Sequence, residues 1–166
     1  GTIRVKNQAI GIPDTLNGTF ELFGVNQTVP AVQFGNLLLS GSGNYTAAGN
    51  ASVMKTLTIA PAVALQVPTN FTITLGESAG KLTENGYLSG KIKKTVDLNA
   101  TSPDTLFGGI GASISWSGNN PGVTTVTRTS GQSVVVNGKQ SIQRYFDVLA
   151  TNTAKLNASL TFTYSN

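Results

Sequence analysis

Leu156-Asn157-Ala158-Ser159-Leu160-Thr161-Phe162-Thr163-Tyr164 alternates along its whole length. Even positions are apolar and odd positions are small and polar. A period of two puts successive side chains on opposite faces of a strand, one toward a core and one toward water. The same pattern recurs elsewhere. Phe71, Ile73 and Leu75 alternate with Asn70, Thr72 and Thr74, and Val96, Leu98 and Ala100 alternate with Asp97, Asn99 and Thr101. Ala112, Ile114 and Trp116 alternate with Ser113, Ser115 and Ser117. Further strands are predicted over 18–25, 28–34, 36–40, 53–59, 62–67, 87–95, 122–128, 132–137 and 143–150.

Turn signals separate these runs. They include Gly41-Ser42-Gly43-Asn44, Pro68-Thr69, Gly118-Asn119-Asn120-Pro121-Gly122 and Asn137-Gly138. Asn-Gly tolerates the positive φ of a type I′ turn, so a hairpin is predicted at Asn137-Gly138. No segment keeps a period of 3.6 over three turns, and Ser102 to Phe107 is predicted as one helical turn at most, with Pro103 at its first position. No internal repeat is apparent. Many short strands divided by turns point to an all-β chain built as a single immunoglobulin-like, pilin-like β-sandwich.

The composition narrows the chemistry. The chain has 166 residues, no cysteine and no histidine. Disulfides and thiolate metal sites are excluded, and the commonest general base and metal ligand are missing. The seven carboxylates, Asp14, Glu21, Glu77, Glu84, Asp97, Asp104 and Asp147, are scattered. No serine has a histidine to activate it, and Gly108-Gly109-Ile110-Gly111 precedes a strand rather than the long helix a phosphate loop needs. No catalytic residue and no metal site is expected, and the chain is expected not to be an enzyme. Trp116 has core parity. Asp147 is the best-placed carboxylate for a surface-protein isopeptide crosslink, although a solvated or paired Asp is the ordinary alternative.

Only 11% of residues are charged, against about 25% in ordinary domains. The net charge of +4 reflects few acids. Lys91, Lys93 and Lys94 form the one tight basic cluster, read as a solvated strand face, so no nucleic-acid partner is expected. No apolar run reaches the roughly 18 residues of a membrane span. The start at Gly1-Thr2-Ile3-Arg4 fits a chain from which a leader has been removed, and a cytosolic chain equally.

Asn-x-Ser/Thr acceptor triplets begin at Asn17, Asn26, Asn44, Asn50, Asn70, Asn99 and Asn157. A glycan must point to solvent. Asn70, Asn99 and Asn157 have the parity of the polar face in their strands, and Asn17, Asn44 and Asn50 fall in turns or strand ends. N-linked glycans, with no other cofactor, are therefore expected, on a protein displayed outside the cell.

The first residues stand apart. Thr2-Ile3-Arg4-Val5-Lys6 alternates with Ile3 and Val5 on one face, whereas Ile10 and Ile12 have the opposite parity. Gly11-Ile12-Pro13-Asp14-Thr15-Leu16-Asn17-Gly18 then reads as a hinge. The division expected is an N-terminal strand over 1–12, a linker over 13–17 and a body over 18–166. The strand either belongs to its own sheet or adds to the edge of a neighbouring copy.

A cysteine-free all-β chain, an extended N-terminal strand and a final strand such as 156–164 resemble donor-strand pilins. Dense acceptor triplets and low charge are more similar to the subunits of archaeal threads, which are thin glycosylated filaments. That resemblance implies a donor strand contacting the next copy through Ile3, Val5, Ala9, Ile10 and Ile12. It also implies identical subunits as partners, host or neighbouring cell surfaces as targets, and a role in adhesion or biofilm. A carbohydrate-binding, lectin-like module or an S-layer-associated domain is the alternative.

Overall fold

The structure, a computed structural model, describes residues 1–6, 11–100, 104–133, 135–136, 139–140 and 142–164. Described strands are β1 (Thr2–Lys6), β2 (Thr15–Phe23), β3 (Thr28–Val29), β4 (Gln33–Leu39), β5 (Gly43–Ala47) and β6 (Ala51–Val53). They continue as β7 (Thr56–Ile59), β8 (Val63–Gln66), β9 (Thr72–Leu75), β10 (Lys81–Glu84) and β11 (Tyr87–Asp97). After these come β12 (Asp104–Leu106), β13 (Ala112–Trp116), β14 (Val123–Ser130), β15 (Val135–Val136), β16 (Lys139–Gln140), β17 (Arg144–Ala150) and β18 (Ala158–Phe162).

These strands do not make a single immunoglobulin-like sandwich. The first two-thirds of the chain coils into a parallel β-solenoid of about five turns. On one wall β1, β2, β4, the β6/β7 pair, the β9/β10 pair and β11 pair in parallel. On the other, β3, β5, β8 and the start of β11 do the same. Alternation survives this change of fold, because a strand with one wet face looks alike in a sandwich and in a coil. The repeat is concealed by an uneven step. Thr2 pairs with Thr19 and Phe20 with Leu37, but Leu37 pairs with Leu57 and Leu57 with Leu82, so the later turns consume progressively more chain than the first two.

Pairing in register builds the core as columns. Leu16, Phe34, Val53 and Leu75 stack in one, and Phe20, Leu37, Leu57 and Leu82 in a second. On the facing wall Tyr45, Leu65 and Leu88 stack likewise. Each fully buried Leu, Ile or Phe contributes about 1.5–3 kcal/mol relative to exposure. β11 runs through both walls: Tyr87 to Ser89 pair with β8 and Lys91 to Lys94 with β9. The corner between them is Gly90, with φ of 94°, where a Cβ would collide with the carbonyl of Val67.

Beyond β11 the sheet turns antiparallel, through β14 to β17. A second antiparallel sheet, β12-β13-β18, packs Ala112, Ile114 and Trp116 into the same core. Trp116 is thus a core residue, as its parity suggests. Asp104–Leu106 forms a strand where one helical turn was expected, and a 3-10 turn lies earlier, at Leu98–Ala100. Val135–Val136 pairs with Lys139–Gln140 around the expected Asn-Gly turn, whose own residues lie outside those described. Among the described residues no helix is long and apolar enough to cross a membrane.

Two columns end in charge. Lys94 follows Leu75 and is buried, so it leaves the solvated basic face expected of Lys91, Lys93 and Lys94. Its Nζ donates to the carbonyls of Gly76 and Glu77, and burial lowers its pKa. Glu84 follows Ile59; its Oε1 accepts from the Leu88 amide and its Oε2 from Arg128 Nη1 at 2.7 Å. Arg128 is only 2% exposed, and its Nε and Nη2 are buried without a partner among the described residues. This ion pair joins the last solenoid turn to the antiparallel extension. Glu84→Leu alone is expected to cost about 3–5 kcal/mol, because it strands a buried guanidinium. Adding Arg128→Met should recover most of that loss. Chemical denaturation of the single and double variants checks both statements.

Candidate functional site

The described residues hold no cluster of acids able to bind a metal ion. Two of the carboxylates have structural partners: Glu84 at a column end, with Arg128, and Glu21 on the first turn, with Arg4 and Ser40. Asp147 is exposed on β17, alongside Leu149, which is 74% exposed; that face carries no buried carboxylate for a crosslink. Gly108, Gly109 and Gly111 all have positive φ and make a tight turn around the buried Ile110.

Among the described residues the fold leaves several sheet edges open, the two longest in the large sheet being β1 and β17. The first wall begins at β1 and finishes, through β11 and β14, at β17, and the second wall ends at the two-residue β3; each of the three pairs on one side only among the described residues. β11 runs parallel to the solenoid strands, β14 opposes it, and β17 opposes β14. β1 and β17 therefore point the same way at opposite ends of the first wall. An unpaired edge offers a row of amides and carbonyls to another strand.

At the first edge β1 lies on β2 of its own chain, in register from Thr2 opposite Thr19 to Lys6 opposite Phe23. Ile3 and Val5 stand at the head of the columns of Phe20 and Leu22. Ile3 nevertheless remains 52% exposed, while Val5 and Ile12 pack partly against the core. Ala9 and Ile10 lie outside the described residues. β2 starts at Thr15, within the stretch read as a linker. Arg4 fastens β1 down: its Nε meets Glu21 Oε2 at 2.6 Å and its guanidinium lies 4.6 Å from the centre of the Phe23 ring. Glu21 also accepts from Ser40 Oγ at 2.6 Å. The Arg4 hydrogen bond, and after it the Ser40 one, holds the Glu21 carboxyl below the usual carboxylate range.

At the second edge, directly paired residues share a face. Phe146 and Val148 on β17 therefore face inward with Arg128 and Val126. Leu160 and Phe162 on β18 face inward with Ile114 and Ala112. β18 is also unpaired on its outer side among the described residues. Phe146 stacks on Phe162 at 4.6 Å and meets Tyr164 edge-on at 6.0 Å, so the two sheets touch across this seam. Leu160 and Tyr164 are nearly half exposed along it. Sequence reasoning singled out the β18 run for its alternation but missed the seam, because no local pattern says which strands end unpaired.

All the acceptor asparagines, Asn17, Asn26, Asn44, Asn50, Asn70, Asn99 and Asn157, are exposed. Their amide groups differ. Asn26 Oδ1 accepts from the Asn44 amide and Asn50 Oδ1 from the Thr72 amide, which leaves each Nδ2 outward. Asn99 Nδ2 donates to Asp97 and Asn157 Nδ2 to Ser117 Oγ. Comparison with protein families, with curated proteins and with solved structures finds no match to this chain.

The Glu21 contact predicts how β1 responds to acid. Glu21 has its folded pKa lowered, so the tether to Arg4 is complete above the ordinary Glu value of about 4.3 and is lost as pH falls through the lowered folded value. The methyl resonances of Ile3 and Val5 should titrate with the Glu21 carboxyl, and Glu21→Gln should abolish that transition.

Proposed function

We propose that this chain is a structural subunit of an extracellular filament, in which β1 of one copy adds to the β17 edge of the next. One observation carries the reading: the wall that runs from β1 to β17 has, among the described residues, an unpaired side on each of these two strands, and they run in the same direction. Stacking copies along the sheet makes the junction a parallel ladder like those inside the solenoid. β1 can keep its bonds to its own β2 while its other side joins the neighbour. Each main-chain hydrogen bond formed there contributes about 0.5–1.5 kcal/mol net.

Supporting features lie on both edges. On the outward faces, Arg4 and Lys6 of β1 and Asp147 of β17 are opposite in charge, Arg144 of β17 lying on the other face with Phe146, and this favours head-to-tail over like-to-like contact. The half-exposed Ile3 has apolar area left to bury, and so have Leu160 and Tyr164 beside the acceptor edge. Such a contact uses different surfaces on the two copies and does not close, so it propagates as a fibre. Exposed acceptor asparagines and a low charge suit display outside the cell, with adhesion or biofilm as the role.

Electron microscopy and sedimentation test this directly. The intact protein is expected to form thin filaments. A form lacking residues 1–12 should remain monomeric. Asp147→Lys, at an exposed position that leaves the fold intact, should slow or prevent assembly. An intact protein that stays monomeric at high concentration sinks the reading, as does an Asp147→Lys variant and a truncated form that both assemble unchanged.

A further inference from the structure

The second wall of the solenoid carries a shallow trough of about 370 Å³, bordered by Asn44, Pro61, Ala64, Asn85, Gly86 and Tyr87. Its floor is set by register. Asn44 pairs with Ala64 and Ala64 with Tyr87, so the three side chains share the outward face of three successive strands. Their inward neighbours Tyr45, Leu65 and Leu88 are buried. Asn44 and Tyr87 are thus two strand spacings, or about 10 Å, apart. The residue between them is an alanine, too short to fill the gap. At the far end Tyr87 is 45% exposed, a large aromatic left partly bare at the rim of a polar surface.

At the near end stands Asn44, in the acceptor triplet Asn44-Tyr45-Thr46. Its main-chain amide donates to Asn26 Oδ1 at 2.9 Å, which fixes the strand at this point. Its own side chain is exposed. We infer that the trough seats the first sugars of a glycan linked to Asn44, with a pyranose ring laid on the face of Tyr87. The inference rests on the reading of this chain as an exported glycoprotein. A tyrosine ring offers a flat apolar face with a polar rim, which suits the C–H face of a sugar whose hydroxyls point aside. The Asn85 amide and the wall at Pro61 and Gly86 border the same space.

The attachment is a displacement with no change of oxidation state. Asn44 Nδ2 forms a bond to the anomeric carbon of a phosphate-activated, lipid-carried sugar. The bond from that carbon to the phosphate oxygen breaks, the amide gives up one proton and the lipid phosphate departs. Asn157 and Asn99 differ from Asn44, since each spends an Nδ2 hydrogen on a neighbouring side chain. Asn44 has the exposed aromatic Tyr87 in line with it two strands away on the same face.

Glycopeptide mass spectrometry of the native protein, followed by NMR of the intact glycoprotein, tests the assignment. Asn44 is expected to be occupied, and the Tyr87 ring protons should show nuclear Overhauser contacts to sugar protons. Asn44→Gln should lower the melting temperature in the parent protein but not in a Tyr87→Ala background, the mark of a coupled pair. An unmodified Asn44, or a glycan there with no contact to Tyr87 and an equal temperature shift in both backgrounds, overturns the proposal. Filament formation by Asn44→Gln, read by microscopy, is independent of these results, so failure of the trough and failure of the assembly reading are told apart.

Discussion

In-register parallel pairing is the constraint on which everything else in this protein depends. Once Phe20, Leu37, Leu57 and Leu82 are held opposite one another, their side chains have no freedom but to stack. A slip of one residue would turn each column to the solvent and bring the threonines and serines inside. The two walls meet through these columns, and among the described residues no α-helix covers either face. The chain can therefore tolerate turns of different length, provided that each returns an apolar residue to the same place. Loops such as that between β9 and β10 absorb the difference, and the Gly76 and Glu77 carbonyls within it serve as partners for Lys94.

Strand content was legible from sequence, and the way strands associate was not. Alternation marks a strand's wet and dry faces, and the dry faces of β9 and β13 were read from it correctly, whereas on β11 the buried Lys94 was assigned to the wet face. The pattern is silent about whether the next strand pairs in parallel through a corner or antiparallel through a hairpin. Unequal steps between Thr2 and Thr19 and between Leu57 and Leu82 hide the coil from any search for a fixed period. The sandwich expectation failed: the strands coil in parallel, and the contact of Phe146 on β17 with Phe162 on β18 is a seam at one end of the solenoid. Buried charge was also missed, though a signal existed. Lys94 shares parity with Ile92 and Val96, Arg128 with Val126, and Glu84 with Leu82. A charge on the apolar side of a strand points to a partner inside, and here Arg128 and Glu84 supply each other's.

For the candidate sites the balance was similar. Asn70, Asn99 and Asn157 are exposed as expected but not for the expected reason: Asn70 lies in the turn before β9, Asn99 in the 3-10 turn and Asn157 in the loop before β18, where a period of two does not apply. The trough between Asn44 and Tyr87 was not legible, because the two residues are distant in the chain and become neighbours only through Ala64. Nor could sequence locate the open edges. Ile3 and Val5 stood out by alternation, but their position above Phe20 and Leu22 of the same chain is a fact of register.

The two ends of the solenoid solve the same problem differently, and the difference gives the molecule its direction. Any stack of parallel strands leaves a bare rung at each end. At the start a single strand covers the columns, held by Arg4 and Glu21 at the surface and leaving half of Ile3 in water. At the finish two columns stop in charge, and an antiparallel extension with its own facing sheet covers the rest. A two-fold pairing of starts would set Arg4 and Lys6 against their counterparts, and a two-fold pairing of finishes would do the same for Asp147. Start against finish brings opposite charges and parallel strands together. Ends that differ in this way, each carrying an edge, are what the proposed head-to-tail assembly draws on, since such a contact continues in one direction rather than closing.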